Sequence, residues 1–493
     1  MTELLDKPLT DRPTQDLVCD VVKTKRDQVP TTAEKLMDNE QLLGVGTTQR
    51  SGQRADMPDS PGLSMYEWAT DLFPICRSLT GDGVRRTLHY LEDLLPGLVI
   101  HDVPSGTAAF DWTVPDEWNI RDAYIEDERG QRLVDFRSSN LHVIGYSVPV
   151  DVWLSREELE PHLYSMSDLP NAIPYATSYY ERRWGFCLSH RLRQSLGPGR
   201  YHAVIDSDLA PGVLNYAEVI LPGDCASEVL LSTYVCHPSL ANNEISGPVV
   251  TAALARWLLS LPRRRHTYRI VFVPETIGSI VYLSRHLDAM RRNMIAGFVV
   301  TCVGDERTYS LLPSRSGNTL TDRVARHVLK RHTDRYDAYS FLDRGSDERQ
   351  YCSPLVDLPV ASLMRSKYGT YPEYHTSLDD LSLISPSGLE GAYLALQKCL
   401  RIIEANATYV ATTPCEPQLG KRGLYPTLST RDSAAALDLQ TMCNFLAYAD
   451  GRRDLVEIAE IIGADALDCA VQADRLVDHG LLTADTNSTA GRR

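Results

Sequence analysis

The stretch Tyr234-Val235-Cys236-His237-Pro238-Ser239-Leu240-Ala241-Asn242-Asn243-Glu244-Ile245-Ser246-Gly247 sets a histidine just after a strand, and a carboxylate with two amides just before a helix. The run Glu228 to Val235 is apolar and β-branched enough for a buried parallel strand, and Ser246-Gly247-Pro248 opens an apolar helix through Leu259. His237 therefore falls at a strand's carboxyl end, and in open α/β sheets ligands bind in the crevice beyond those ends. Three more segments repeat the pattern. Arg269 to Pro274 is an apolar strand followed by Glu275 at the turn into a helix near Gly278-Ser279. Gly297 to Val303 ends in Gly304-Asp305-Glu306, and Val360 to Met364 leads through a Tyr/Gly/Pro loop to Tyr374-His375-Thr376-Ser377-Leu378-Asp379-Asp380. Imidazole nitrogen and carboxylate oxygen are donors that zinc takes, and a catalytic zinc keeps about three protein ligands and an open water position. Taken singly, each carboxylate also fits a solvated helix start.

Residues from about Met65 to Ala405 resemble the zinc aminopeptidase clan that includes the bacterial leucyl aminopeptidases. More closely, the chain resembles an uncharacterised aminopeptidase-like family with a small inserted domain and a C-terminal winged helix, often encoded among polysaccharide and natural-product genes. In that resemblance Cys236-His237-Pro238 matches the first metal histidine, and Asn243 stands where the clan has its metal-bridging Asp. Pro274-Glu275-Thr276 with Gly278-Ser279 matches the double-glutamate motif, Asp305 the next ligand, Ser346-Asp347 a supporting motif, and His375-Thr376 with Asp379 the final histidine motif. The implied fold is α/β, a mixed and mostly parallel sheet flanked by helices. The implied activity is zinc-dependent cleavage of an amide or peptide bond in a small peptide or aminoacyl-amide substrate. A non-catalytic binding protein on a degenerate scaffold is the competing reading.

Two departures from the clan alter the expected chemistry. Asn243 replaces the bridging Asp, and Thr276 replaces the second glutamate. A neutral amide brings no charge to offset the repulsion of two dications, so one tightly bound zinc is expected, with a second possible. Ligand candidates are His237, Asp305 and His375, joined by Asn243 and by Glu244 as a source of the lost carboxylate. Glu275 is either the general base or a ligand. Asp379 either accepts a hydrogen bond from His375, fixing its tautomer, or serves a turn.

Other residues are candidates to shape the pocket. Arg315, and Arg344 in the charged run Arg344-Gly345-Ser346-Asp347-Glu348-Arg349, offer guanidinium forks suited to a substrate carboxylate or phosphate. The alternative is an ion-pair network among Arg344, Asp347, Glu348 and Arg349. Tyr368, Tyr371 and Tyr374 form either a lid over His375 or ordinary packing. Cys236 reads as a packed thiol. Arg77, in the loop Cys76-Arg77-Ser78-Leu79-Thr80-Gly81 that also carries the family resemblance, either lines the cleft or belongs to a helix-capping loop.

A chain of 493 residues is too long for one core. Residues 1–60 are polar and proline-punctuated and read as a disordered tail. The α/β domain is expected over 61–107 and 209–420. Short alternating runs at Trp112–Pro115, Trp118–Ile120, Leu141–Tyr146 and Tyr201–Ile205 predict a β-rich insertion over 108–208. Its aromatic stretch Ile173 to Tyr180 either walls a ligand pocket or fills the insert's own core. Three short helices over 430–486 resemble a winged helix. The presumed recognition helix carries Asp465, Asp468, Asp474 and Asp478 against Arg475, and the net charge is −15, so a packing or homo-oligomer module is expected and no nucleic acid. Eleven cysteines, an odd count, fit a reducing compartment. The absence of an apolar leader and of any run near ~20 apolar residues leads to the expectation of a cytoplasmic protein without membrane contact.

Overall fold

The apolar runs assemble as parallel neighbours. Glu228–Tyr234 lies between Thr267–Val273 and Met294–Val299, parallel to both, and Met294–Val299 is parallel in turn to Val360–Met364. All residues of Glu228–Tyr234 and of Val360–Met364 are buried, as expected of parallel strands whose sheet is covered by helices on both faces. Further strands extend this centre to an eight-stranded mixed sheet, with antiparallel Val213–Leu221 and Val99–Pro104 on one side and, on the other, antiparallel Ser310–Leu312 followed by Asp337–Ala338, parallel to it. The computed structural model describes residues 60–425 and 434–485, so the tail expected over residues 1–60 lies, apart from Ser60, outside the described residues.

Ser246–Ser260, Ile277–Asn293, Leu320–His332 and Pro386–Ala405 supply the major flanking helices. The first sits almost flush on the sheet. A Cβ on Gly247 would lie 2.4 Å from both Thr233 Oγ1 and Val300 O, so only glycine lets this helix begin where it does.

Between Val99–Pro104 and Val213–Leu221 the chain builds a separate antiparallel sheet in the order Arg132–Asp135, Glu117–Asp127, Arg200–Ala210, Val150–Ser155. The run Leu141–Tyr146, expected as a strand, is instead a 3-10 turn at Asn140–His142 followed by single bridges from Val143 to Phe186 and from Gly145 to Thr177. Ser139 starts the turn by accepting the Leu141 amide, a local bond that competes with strand pairing. The insert returns to the main sheet at the site: Pro174 bridges Thr376, and the Ile173 amide donates to Ser377 Oγ at 3.0 Å.

At the C-terminus Thr408–Ala411 lies between Asp450–Asp454 and Leu482–Asp485, beside helices Ala434–Tyr448, Leu455–Ile462 and Ala466–Asp478. Asp454 and Glu457 form a capping box on Leu455–Ile462, which stops at Gly463 with φ 73°. Among the described residues no helix is long and apolar enough to cross a membrane.

Candidate metal centre

Because the four central strands run parallel, the loops after them open at one edge of the sheet. His237, 2% exposed, places Nδ1 2.8 Å from Glu244 Oε2 and turns Nε2 toward Glu275 Oε2 at 3.6 Å. Glu244 reaches the imidazole from the wide π-type turn Ala241–Ile245 that precedes Ser246–Ser260. The His375 ring centroid lies 5.3 Å from that of His237, and Tyr175 of the insert stands edge-on to both at 5.1 Å. Tyr374 stacks on His375 at 3.9 Å. The ring nitrogens of His375 make no hydrogen bond among the described residues.

His237, with the His375 ring beside it, is a candidate holder of one divalent ion. Zinc ligands sit about 2.0–2.2 Å from the metal, so two of them on one tetrahedral centre are about 3.3–3.6 Å apart. The 3.6 Å between His237 Nε2 and Glu275 Oε2 is too long for a hydrogen bond and leaves room between them for an ion or for the water it would hold. Glu244 engages Nδ1, which leaves Nε2 as the donor. Asn243 Oδ1 nearby in sequence is buried without a partner, while its amide nitrogen donates to Tyr234 Oη at 2.9 Å.

Asp305 does not join this group. Its carboxylate accepts from the Ser366 amide and hydroxyl, both at 2.9 Å, from the Arg307 amide at 2.8 Å and from Asn242 Nδ2 at 3.0 Å. Asp379 does not reach His375; it accepts the Asn242 and Asn243 amides at 2.6 and 3.0 Å and Tyr371 Oη at 3.1 Å, tying the two histidine loops together. Donor atoms of Cys236, His237 and Glu244 lie within 4.8 Å of one another. Burial nevertheless pushes the Cys236 thiol up to about 11, and its sulfur accepts the Glu275 amide, so it is a packed, protonated group.

Glu275 is held by backbone strain. Thr276 has φ 65° and ψ −76°, and the Ile277 amide donates to Glu275 O at 2.8 Å. That is a γ-turn of the rare hand, costly for a β-branched residue. Asp347 keeps it in place by accepting the Thr276 amide and Ser279 Oγ, each at 2.8 Å, and Ser346 Oγ donates to Glu275 Oε1 at 2.8 Å. Burial raises the Glu275 pKa, against the pull of His237, Ser346 and Arg349. Burial, then the Glu275 charge, lifts Asp347 to about 7.

The remaining candidates lie elsewhere. Arg315 pairs with Asp357 at 2.5 Å, and Arg344 bonds Phe341 O. Arg344, Asp347, Glu348 and Arg349 form no ion pair with one another: buried Glu348 accepts from Tyr368 Oη at 2.6 Å and Arg349 donates to Thr276 Oγ1 at 2.6 Å. Tyr175 was visible in the sequence only as one of several insert aromatics. The sharpest surprise is Arg77, a buried cation whose Nε donates to His237 O at 2.8 Å and lies 3.6 Å from Glu244 Oε1.

Comparison with known proteins agrees with this architecture. Residues 66–406 match the family described as "Domain of unknown function (DUF4910)", and residues 407–484 match a winged helix-turn-helix. A Clostridium acetobutylicum protein, provisionally named for polysaccharide biosynthesis with an aminopeptidase-like domain, is 42% identical over 416 residues, spanning 84% of this chain and 95% of its own. A crystal structure from that species, provisionally assigned as a peptidase, is 40% identical with a TM-score of 0.81, covering 86% of this chain and 96% of that one. BSAP, a zinc aminopeptidase from Bacillus subtilis, shares the fold at 13% identity and a TM-score of 0.50, over 69% and 94% of the two chains. The chain thus belongs to the DUF4910 family, an aminopeptidase-like α/β fold followed by a winged helix-turn-helix.

Proposed function

We propose that this protein is a metal-dependent hydrolase of small amides, a peptide or an aminoacyl amide, in which His237 and His375 would hold a single zinc ion and Glu275 stands beside it as general base. The observation that carries this reading is that His237 Nε2 stands 3.6 Å from Glu275 Oε2 and its ring 5.3 Å, centroid to centroid, from that of His375, where the central parallel strands end. When bound, zinc supplies Lewis acidity toward an amide carbonyl and an attacking water that ionises near neutral pH. Glu275, with a raised pKa, is suited to accept a proton from water and deliver it to the leaving amine. Ser346 and the strained turn at Thr276 fix the angle of that carboxylate. Tyr175 and Tyr374 wall the imidazoles on two sides and limit the room for the acyl group. Asn243 and Glu244 are read as supporting residues rather than ligands, and Asp305 as a loop clamp.

The winged helix is read as a packing module: Asp465 of its acidic third helix pairs with Lys398 of the α/β domain at 2.7 Å. The second reading, a binding protein on a degenerate scaffold, is favoured by the filled Asp305 carboxylate and by the amide at Asn243.

Zinc titration and turnover of an aminoacyl-amide panel distinguish the two. The wild type is expected to bind one zinc per chain and hydrolyse members of the panel, and Glu275→Gln to lower turnover about 10²–10⁴-fold. A wild type that binds zinc and panel amides without hydrolysing any would establish the binding reading.

A further inference from the structure

Arg77 belongs to the loop Cys76–Gly81, a motif that the proposed chemistry leaves unused. Its side chain is 1% exposed, as is that of Glu244. Nη1 donates to Leu72 O at 2.8 Å, Nε donates to His237 O at 2.8 Å, and Nη2 is buried without a partner. Glu244 Oε1 is also without a hydrogen bond and faces the guanidinium at 3.6 Å, while Oε2 engages His237 Nδ1 at 2.8 Å. One cation therefore grips His237 twice, directly at its carbonyl and through Glu244 at its ring. A buried carboxylate lacking a countercharge is strongly unfavourable. A guanidinium beside Oε1 also opposes a second cation there, which argues against Glu244 bridging two metals.

The loop is clamped from the insert's side. Thr80 Oγ1 accepts the Trp118 amide at 3.1 Å and lies 2.7 Å from Tyr146 Oη. Gly81, at φ 94°, passes so close that a Cβ would lie 2.2 Å from Trp118 O.

We propose that Arg77 is a positioning residue for the metal-binding histidine: with Glu244 it forms a relay that fixes the tautomer and direction of His237 and couples them to the seating of the inserted domain. This rests on the metal-dependent reading above. With Glu244 accepting the Nδ1 proton, Nε2 presents its lone pair to the ion, and the carboxylate strengthens it as a donor.

The test measures zinc affinity of the full chain by competition with a chelating indicator, with circular dichroism to establish folding. Arg77→Met and Glu244→Gln are each expected to weaken zinc binding about 10–100-fold, Arg77→Lys to recover part of the loss, and the double variant to lose less than the product of the single losses. In the zinc-loaded protein, the far-downfield proton resonance of His237 Nδ1–H is expected in the wild type and shifted upfield in Arg77→Met and Glu244→Gln. Folded Arg77→Met with wild-type affinity and an unmoved resonance overturns the relay. If Arg77→Met does not fold, Glu244→Gln decides: unchanged affinity and resonance overturn it equally. A wild type that takes up no zinc refutes the metal-dependent reading itself, and the relay with it.

Discussion

Thr276 carries the clearest strain in the site. A positive φ on a β-branched residue costs about 1–2 kcal/mol, and the amide bond to Asp347 maintains it. Thr276→Gly is expected to raise the denaturant midpoint by an equivalent of about 1 kcal/mol while lowering turnover, because Glu275 loses its fixed angle; unfolding curves and steady-state rates check both halves. That Asn243 and Thr276 are neutral residues where the resemblance implies carboxylates was plain in the sequence. What the side chains do there was not. Spacing places Asp305 after a strand but cannot show that Ser366, Arg307 and Asn242 fill its carboxylate. Nor does 3.6-residue periodicity foresee the π-type turn at Ala241–Ile245, which swings Glu244 onto His237 Nδ1.

Secondary structure was the most legible layer. Continuous apolar strands and capped helices follow from local chemistry, and Val360–Met364 has the bounds its composition indicates. The insert was less legible, since its short runs depend on side-chain caps such as Ser139. Gly247→Ala is expected to cost about 1–3 kcal/mol by forcing Ser246–Ser260 off the sheet, measurable by chemical denaturation. A second test concerns His266, just before Thr267–Val273, which meets Ser227 Oγ, just ahead of the neighbouring strand, at 2.6 Å and Ile403 O of Pro386–Ala405 at 3.3 Å. Burial, with Arg265 adding to it, lowers its pKa from 6.5 to about 3. Below about pH 6.5 the unfolded chain takes up a proton that the folded chain refuses. The contribution is therefore intact above that pH and declines on acidification toward about 3, by about 1.4 kcal/mol per unit. The loss of stability between neutral and mildly acidic pH is expected to be smaller in His266→Asn than in the wild type.

At the scale of the molecule, the winged helix is fastened to the α/β domain through Glu460, which meets His327 Nδ1 at 2.6 Å, Arg331 at 3.0 Å and Lys330 at 2.8 Å. Lys330 is half exposed and adds little. His327 is fully buried, with Nε2 accepting the Ala466 amide at 2.9 Å. Glu460→Ala strands that ring and is expected to cost about 1–3 kcal/mol, seen as faster amide hydrogen exchange across Leu455–Ile462 with exchange in Val360–Met364 unchanged.

The strap Ile173–Thr177 has a wider implication. It hydrogen-bonds to the segment around His375 and lays the Tyr175 ring against both imidazoles, so the insert is stitched into the candidate metal centre. Excising residues 108–208 would therefore unroof the two imidazoles: the trimmed polypeptide would lose the Tyr175 ring and leave His237 and His375 open to bulk water.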